Sequence, residues 1–254
     1  MKYSIGFLTL CYKEMHRFLR IWPQTILPPL ITSALYFIIF GNLIGSQLRP
    51  IHGFSYMQFI APGLILMPVL INSYTNTVSS FFIAKFHRNI EEILIAPIPN
   101  TLIILGFMCG GILRGILVGI AVTLVTLFFT HLQIVNLWLT FLIVILASAV
   151  FSLAGLANAL FAKRFDDIAI IPTFIITPLT YLGGVFYSVQ QLPPLWQKIA
   201  IFNPVLYMIN AFRDGVLGIS DINSYFALGI IFMVALGLFY LNLFFLKKGI
   251  GVKS

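Results

Sequence analysis

The sequence predicts an all-α integral membrane protein: six transmembrane helices, an amphipathic interfacial helix at the N-terminus, and an outer-side re-entrant helical hairpin between the fifth and sixth spans. Three observations carry this expectation. Hydrophobic residues make up 60% of the 254-residue chain and charged residues 9%, too little polar surface for a soluble body. Apolar runs of ~20 residues or longer recur, and in lipid, where backbone groups must be satisfied internally, such runs form helices rather than short alternating strands. The charges gather at the ends of those runs, so the formal charge of +8 reads as a topology signal and not as a nucleic-acid footprint.

The elements follow in order, as one transmembrane domain over residues 1–254. Residues 2–20 place Phe7, Cys11, Met15 and Phe18 at helical spacing, with Lys13, Arg17 and Arg20 on the opposite side, which predicts a helix lying flat on the membrane surface. The run from Ile5 to Cys11 looks superficially like a signal peptide, but Lys13, Glu14, His16, Arg17 and Arg20 follow at once and argue against cleavage. The first span, 21–44, carries Pro23, Pro28 and Pro29 near its start, where missing amide donors are tolerated best. The second, 56–84, turns polar in its latter half, where Asn72, Asn76, Ser79 and Ser80 must face protein or water.

Residues 85–100 interrupt the apolar pattern with Lys85, His87, Arg88, Glu91 and Glu92, and end in Pro97 and Pro99. The third span, 101–130, is rich in glycine at Gly106, Gly110, Gly111, Gly115 and Gly119, spacings that let another helix approach closely. The fourth, 135–162, leads into a tight polar loop of Lys163, Arg164, Phe165, Asp166 and Asp167. Pro172, Pro178 and the Gly183-Gly184 pair interrupt the fifth, 168–187, and predict a kinked or partly unwound helix. Two segments too short to span, split by Asn203 and Pro204, predict the hairpin over 195–217, which also holds Arg213. The sixth span, 225–246, ends at Lys247 and Lys248.

Orientation follows from the cations. The side with both termini holds Lys2, Lys13, Arg17, Arg20, Lys85, Arg88, Lys163, Arg164, Lys247, Lys248 and Lys253, whereas the other holds Arg49, Lys198 and Arg213. That asymmetry places both termini, the 85–100 stretch and the 163–167 loop in the cytoplasm, and the hairpin outside.

Motifs for chemistry in this chain are scarce. No GxxxxGK[ST] loop is present, so ATP hydrolysis by that route falls to a partner. His16, His52, His87 and His131 lie in separate stretches on both sides of the membrane, and Cys11 and Cys109 form no CxxC motif, so neither a metal site nor a disulfide framework is expected. Adjacent Asp166 and Asp167 diverge by ~100° on a helix and make a poor acid/base dyad. No catalytic residue and no cofactor of the chain's own is expected. Arg114 lies well inside the third span, where insertion costs roughly 2.5–3.5 kcal/mol, so it needs a partner. It serves either as an anchor to a neighbouring helix or, with Asn72 and Asn76, in a translocation pathway.

Four stretches give the chain a family resemblance: YMQFIAPGLILM at 56–67, EEILIAPIP at 91–99, the run from Phe161 to Tyr187, and LPPLWQKIAIFNPVLYMINAFRDGVLG at 192–218 with Asn203, Pro204 and Arg213. The chain resembles the permease subunits of bacterial ABC-2 type transporters, most closely the YadH-type branch. The resemblance implies a type V exporter-like fold in the bacterial inner membrane, with two copies of the chain forming a pore above two copies of a separate ABC ATPase that binds ATP-Mg. It further implies that Glu91 to Pro97 form a coupling helix seated in the ATPase, with Glu91 and Glu92 meeting basic residues, Ile93 and Leu94 filling an apolar notch, and Lys163, Arg164, Asp166 and Asp167 flanking the contact. Many members of the wider family have a Gly-Thr pair where this chain has Arg88 and Asn89, which leaves the start of that helix open.

The expected function is outward movement of an amphipathic or lipid-linked substrate. Two other classes stay in view: an ion-coupled secondary transporter, and a membrane enzyme acting on lipids through groups such as Arg213 and Asp214.

Overall fold

Tyr56–Phe86 (α3) is the axis about which the other helices pack in this computed structural model, which describes residues 2–48 and 50–251. Arg49 and Lys253, both counted in the charge asymmetry, lie outside the described residues. A capping box starts α3: the Gln58 amide donates to Ser55 Oγ at 3.3 Å, and the Ser55 amide to Gln58 Oε1 at 3.1 Å. From there α3 is buried along most of its length against Asn100–Phe129 (α5), Leu137–Phe161 (α6) and Pro204–Leu217 (α10).

The remaining helices are Lys2–Arg20 (α1), Trp22–Tyr36 (α2), Asn89–Ile95 (α4), Phe165–Ile171 (α7), Thr177–Leu182 (α8), Pro194–Ile201 (α9) and Ser224–Lys248 (α11). Among the described residues, six helices are long and apolar enough to cross a membrane: Trp22–Gly41, Tyr56–Phe86, Asn100–Phe129, Leu137–Phe161, Phe165–Leu182 and Ser224–Lys248. The outward surfaces carry large apolar side chains, with Phe128 89% and Tyr225 85% exposed, as a lipid-facing exterior requires.

The bounds of the fifth span differ from the sequence expectation. The fifth span begins at Phe165 rather than 168, because Asp167 accepts the amides of Lys163 and Arg164 at 2.8 and 2.9 Å and so caps a helix that already contains Asp166 and Asp167. It runs through a π-helical turn at Pro172–Ile176, where the proline leaves amide bonding out of step, and stops at Leu182 rather than 187 because Gly183 and Gly184, the latter at φ +82°, end it. The first span continues past Tyr36 as a π-helical segment, Phe37–Ile44. The two short helices α9 and α10 meet at Asn203, whose Oδ1 accepts the Val205 amide at 2.9 Å while its Nδ2 donates to Leu179 O of α8 at 2.7 Å.

Candidate functional site

Asn72, Asn76 and Ser80 lie one helical turn apart on α3, and each is met by an ionisable side chain from another helix. Arg114 Nη2 of α5 donates to Asn72 Oδ1 at 3.0 Å. Arg17 Nη2 of α1 donates to Asn76 Oδ1 at 2.8 Å and to Asn76 O at 2.9 Å. Ser80 Oγ donates to Glu14 Oε1 at 2.6 Å, and Glu14 Oε2 stands 3.5 Å from Arg17 Nη2. The polar half of α3 is thereby sealed by partners from two helices, α1 and α5, the condition its burial imposes.

The glycines of α5 make that convergence possible. A Cβ at Gly106 would lie 2.8 Å from Leu10 Cβ, and one at Gly110 only 2.6 Å from Glu14 Cβ. Gly106 and Gly110 are therefore the seat of α1, which lies close enough for Glu14 to reach past α5 to α3.

Two corrections follow. Arg17, placed by periodicity opposite the apolar stripe of α1, turns inward because Asn76 offers it two acceptors; Glu14, singled out for no role, is fully buried. A signal for Glu14 did exist in the sequence: it follows Cys11 by three and precedes Phe18 by four, inside the apolar stripe. Burial pushes the Glu14 carboxyl up from the usual glutamate value, against the opposing pull of Arg17, Ser80 and Lys13.

Of the three pathway candidates, Asn72 borders a cavity. That cavity, of about 320 Å³, opens between α2 and α3 and is lined by Gln24, Thr32, Tyr36, Met67 and Thr75 in addition to Asn72. Asn76 is closed off by Arg17, and Arg114 stands behind Asn72. Polar groups on an apolar wall are what an amphipathic ligand needs.

At the far end of α3, Lys85 Nζ donates to three carbonyls at the end of α6, Ala159 at 3.3 Å, Leu160 at 2.7 Å and Ala162 at 2.9 Å. This occupies acceptors a helix C-terminus leaves open. The chain then turns at Arg88, held at φ 61°, into α4. Ile90 is buried and pins α4 down; Ile93 and Leu94 are half-buried against the protein's own core. Glu91, Glu92 and Pro97 face outward, and the exposed apolar side chain of this helix is Ile95, at 84%. The helix ends at Ile95, so Pro97 lies beyond it. A cleft of about 470 Å³ beside α4 is bordered by Phe86, Arg88, Glu91 and Lys163. Lys163, Arg164 and Asp166 are exposed, whereas Asp167 is engaged in capping α7.

Arg213 is buried: Nη2 donates to Gly184 O at 2.6 Å and the guanidinium lies 4.0 Å over the Phe59 ring. Asp214 accepts from Ser224 Oγ at 2.5 Å. Both groups hold helices together, which removes the support they gave to lipid chemistry.

A model of the ABC-2 type transporter family matches residues 6–217. The chain is 51% identical over 252 residues to the inner membrane transport permease YadH of Escherichia coli (strain K12), an alignment covering 99% of this chain and 98% of that relative. It is 26% identical over 200 residues to nodulation protein J of Neorhizobium galegae, covering 78% and 76% of the two chains. To nodulation protein J of Rhizobium meliloti (strain 1021) it is 24% identical over 226 residues, covering 88% and 86%.

Proposed function

Since the chain belongs to the ABC-2 type transporter family, whose members are membrane permeases, we propose that it is the permease subunit of an inner-membrane exporter driven by a separate ABC ATPase. Two copies of the chain pair above two ATPase subunits, both termini are cytoplasmic, and the substrate is amphipathic or lipid-linked. ATP-Mg binds the partner, not this chain.

The observation that carries the reading is α4. It is short, pinned by Ile90, joined directly to α3 and α5, and presents Glu91, Glu92 and Ile95 outward beside the cleft at Arg88 and Lys163. Two carboxylates around one exposed isoleucine suit a basic-rimmed apolar notch on an ATPase surface. Compared with the sequence expectation, the apolar contact passes from Ile93 and Leu94 to Ile95, while Lys163, Arg164 and Asp166 remain available at the margin.

Closure of the ATPase dimer pushes α4, and α3 carries the displacement to Asn72 and the cavity at α2. Arg114 acts through Asn72, fixing the amide that faces the substrate. The hairpin of α9 and α10, with Asn203 and Pro204 at its tip and Arg213 at its base, dips into the outer leaflet and closes that side.

The test is co-purification. Glu91→Lys with Glu92→Lys is expected to abolish recovery of a co-expressed P-loop ATPase and its vanadate-sensitive hydrolysis, with the permease itself still eluting as a folded species. Unchanged recovery of the ATPase overturns the assignment of α4.

A further inference from the structure

The groups around Glu14 are unequal to its charge. The carboxylate has no exposure to solvent. Ser80 supplies it one hydroxyl at 2.6 Å, and the nearest cation, Arg17, presents a single nitrogen at 3.5 Å that already makes shorter bonds to Asn76 Oδ1 and Asn76 O. Arg17 Nε and Asn76 Nδ2 have no hydrogen-bond partner among the described residues, so donors lie nearby without reaching the acid. A buried carboxylate with one short hydrogen bond, one long one from Arg17 at 3.5 Å, and a counter-ion held more closely by Asn76 is more stable neutral than charged.

The other neighbours do not change this. On α1, Lys13 and His16 are exposed, with the His16 ring stacked on Tyr12, and Cys11 faces Cys109 of α5. Arg114 of α5 lies beyond Arg17 and is committed to Asn72, while α3 offers only the uncharged Ser80 and Asn76. A proton on Glu14 has an acceptor at once, since the same 2.6 Å contact accommodates the acid donating to Ser80 Oγ.

We infer that Glu14 is a proton-binding site whose occupancy sets how firmly α1 is seated on Gly106 and Gly110 of α5. Protonated, the acid is a neutral plug between α5 and α3; ionised, it draws α1 off its seat toward water. The sign follows from burial: the seated form holds the proton more tightly than the lifted form. Seating is therefore complete below the ordinary glutamate value and weakens as pH rises through the raised one. The inference concerns the chain alone and stands apart from the ATPase assignment.

The experiment uses the full chain in lipid nanodiscs with Cys11→Ser, leaving Cys109 beneath α1 as the single thiol. Its alkylation rate by N-ethylmaleimide is measured from about pH 5 to about pH 8 and divided at each pH by the rate in the same protein carrying Glu14→Gln, which cancels every pH dependence that does not come from residue 14. The expected ratio climbs with pH, by at most about tenfold per pH unit for one linked proton. Adding Arg17→Gln removes the cation that favours the charged form and moves the climb to higher pH. A flat ratio, or a profile that Arg17→Gln leaves in place, overturns the inference. Should Glu14→Gln not fold, amide exchange of residues 2–20 in the unsubstituted protein, corrected for intrinsic rates, decides the matter: protection that falls as pH rises supports the site, and constant protection overturns it.

Discussion

Arg17 and Asn76, 59 positions apart, share two hydrogen bonds through one guanidinium nitrogen, to Oδ1 at 2.8 Å and to the main-chain oxygen at 2.9 Å. The pair fastens the N-terminal helix to the middle of the chain's most buried span. Asn76→Ala removes the side-chain acceptor and leaves a part-buried guanidinium with the carbonyl alone. The expected cost is about 1–3 kcal/mol, read as a lower midpoint of thermal unfolding in detergent.

Gly110→Ala places a methyl where Glu14 Cβ already stands 2.6 Å away, so α1 must move off α5. Overpacking of this kind costs about 1–3 kcal/mol. Gly229→Ala is the control, because nothing lies within 4 Å of the added carbon, and its stability is expected to stay within about 1 kcal/mol of the parent. Equal effects at the two positions would remove Gly110 as the seat of α1.

Arg114→Leu and Asn72→Leu, singly and together, form a double-mutant cycle on the α5–α3 bond. A coupling energy on the order of 0.5–2 kcal/mol is expected, the range for polar contacts between spanning helices. Folded Arg114→Leu protein with intact ATPase association and lost export would assign Arg114 to the pathway; loss of the folded protein would assign it to anchoring.

Along α4 the isoleucines are expected to separate. Ile90 is buried, so Ile90→Ala should lower stability by about 2–5 kcal/mol. Ile95→Asp should leave the unfolding midpoint unchanged and abolish ATPase recovery. If Ile95→Asp retained the ATPase, the exposed isoleucine would have no part in docking.

Burial and the neighbouring Cys109 push the Cys11 thiol from 9.0 up to about 12. Burial is the larger cause and persists in Cys109→Ser protein, so maleimide labelling of Cys11 there should be slower in the folded chain than after unfolding, by less than the shift with Cys109 present would give.

The number of spans and the short α4 between two of them were legible in the sequence, because runs of ~20 apolar residues and a charged stretch ending in two prolines are one-dimensional signals. The polar stripe of α3 was legible as a demand: Asn72, Asn76 and Ser80 could not face lipid. Its partners were not, since which face of α1 turns inward depends on a contact between residues 14 and 80. Periodicity put Arg17 opposite the apolar stripe by weighing cations as solvent-seeking; two acceptors on Asn76 turned it inward. At α4 the sequence could not tell Ile93 and Leu94 from Ile95, for all three are apolar on a seven-residue helix and only the position of Ile90 against the core decides which points away. The start of the fifth span was misplaced because two adjacent aspartates read as a loop, when one of them caps the helix that contains both.

Lys85 brings a mechanical consequence. With its ammonium resting on the last carbonyls of α6, the tail of α3 is yoked to a helix that follows it by some fifty positions, and neither rod can slide without dragging the other. Under the proposed coupling, a shove delivered at α4 would be divided between two levers, and trimming this one lysine to methionine would turn a stiff linkage into a loose one.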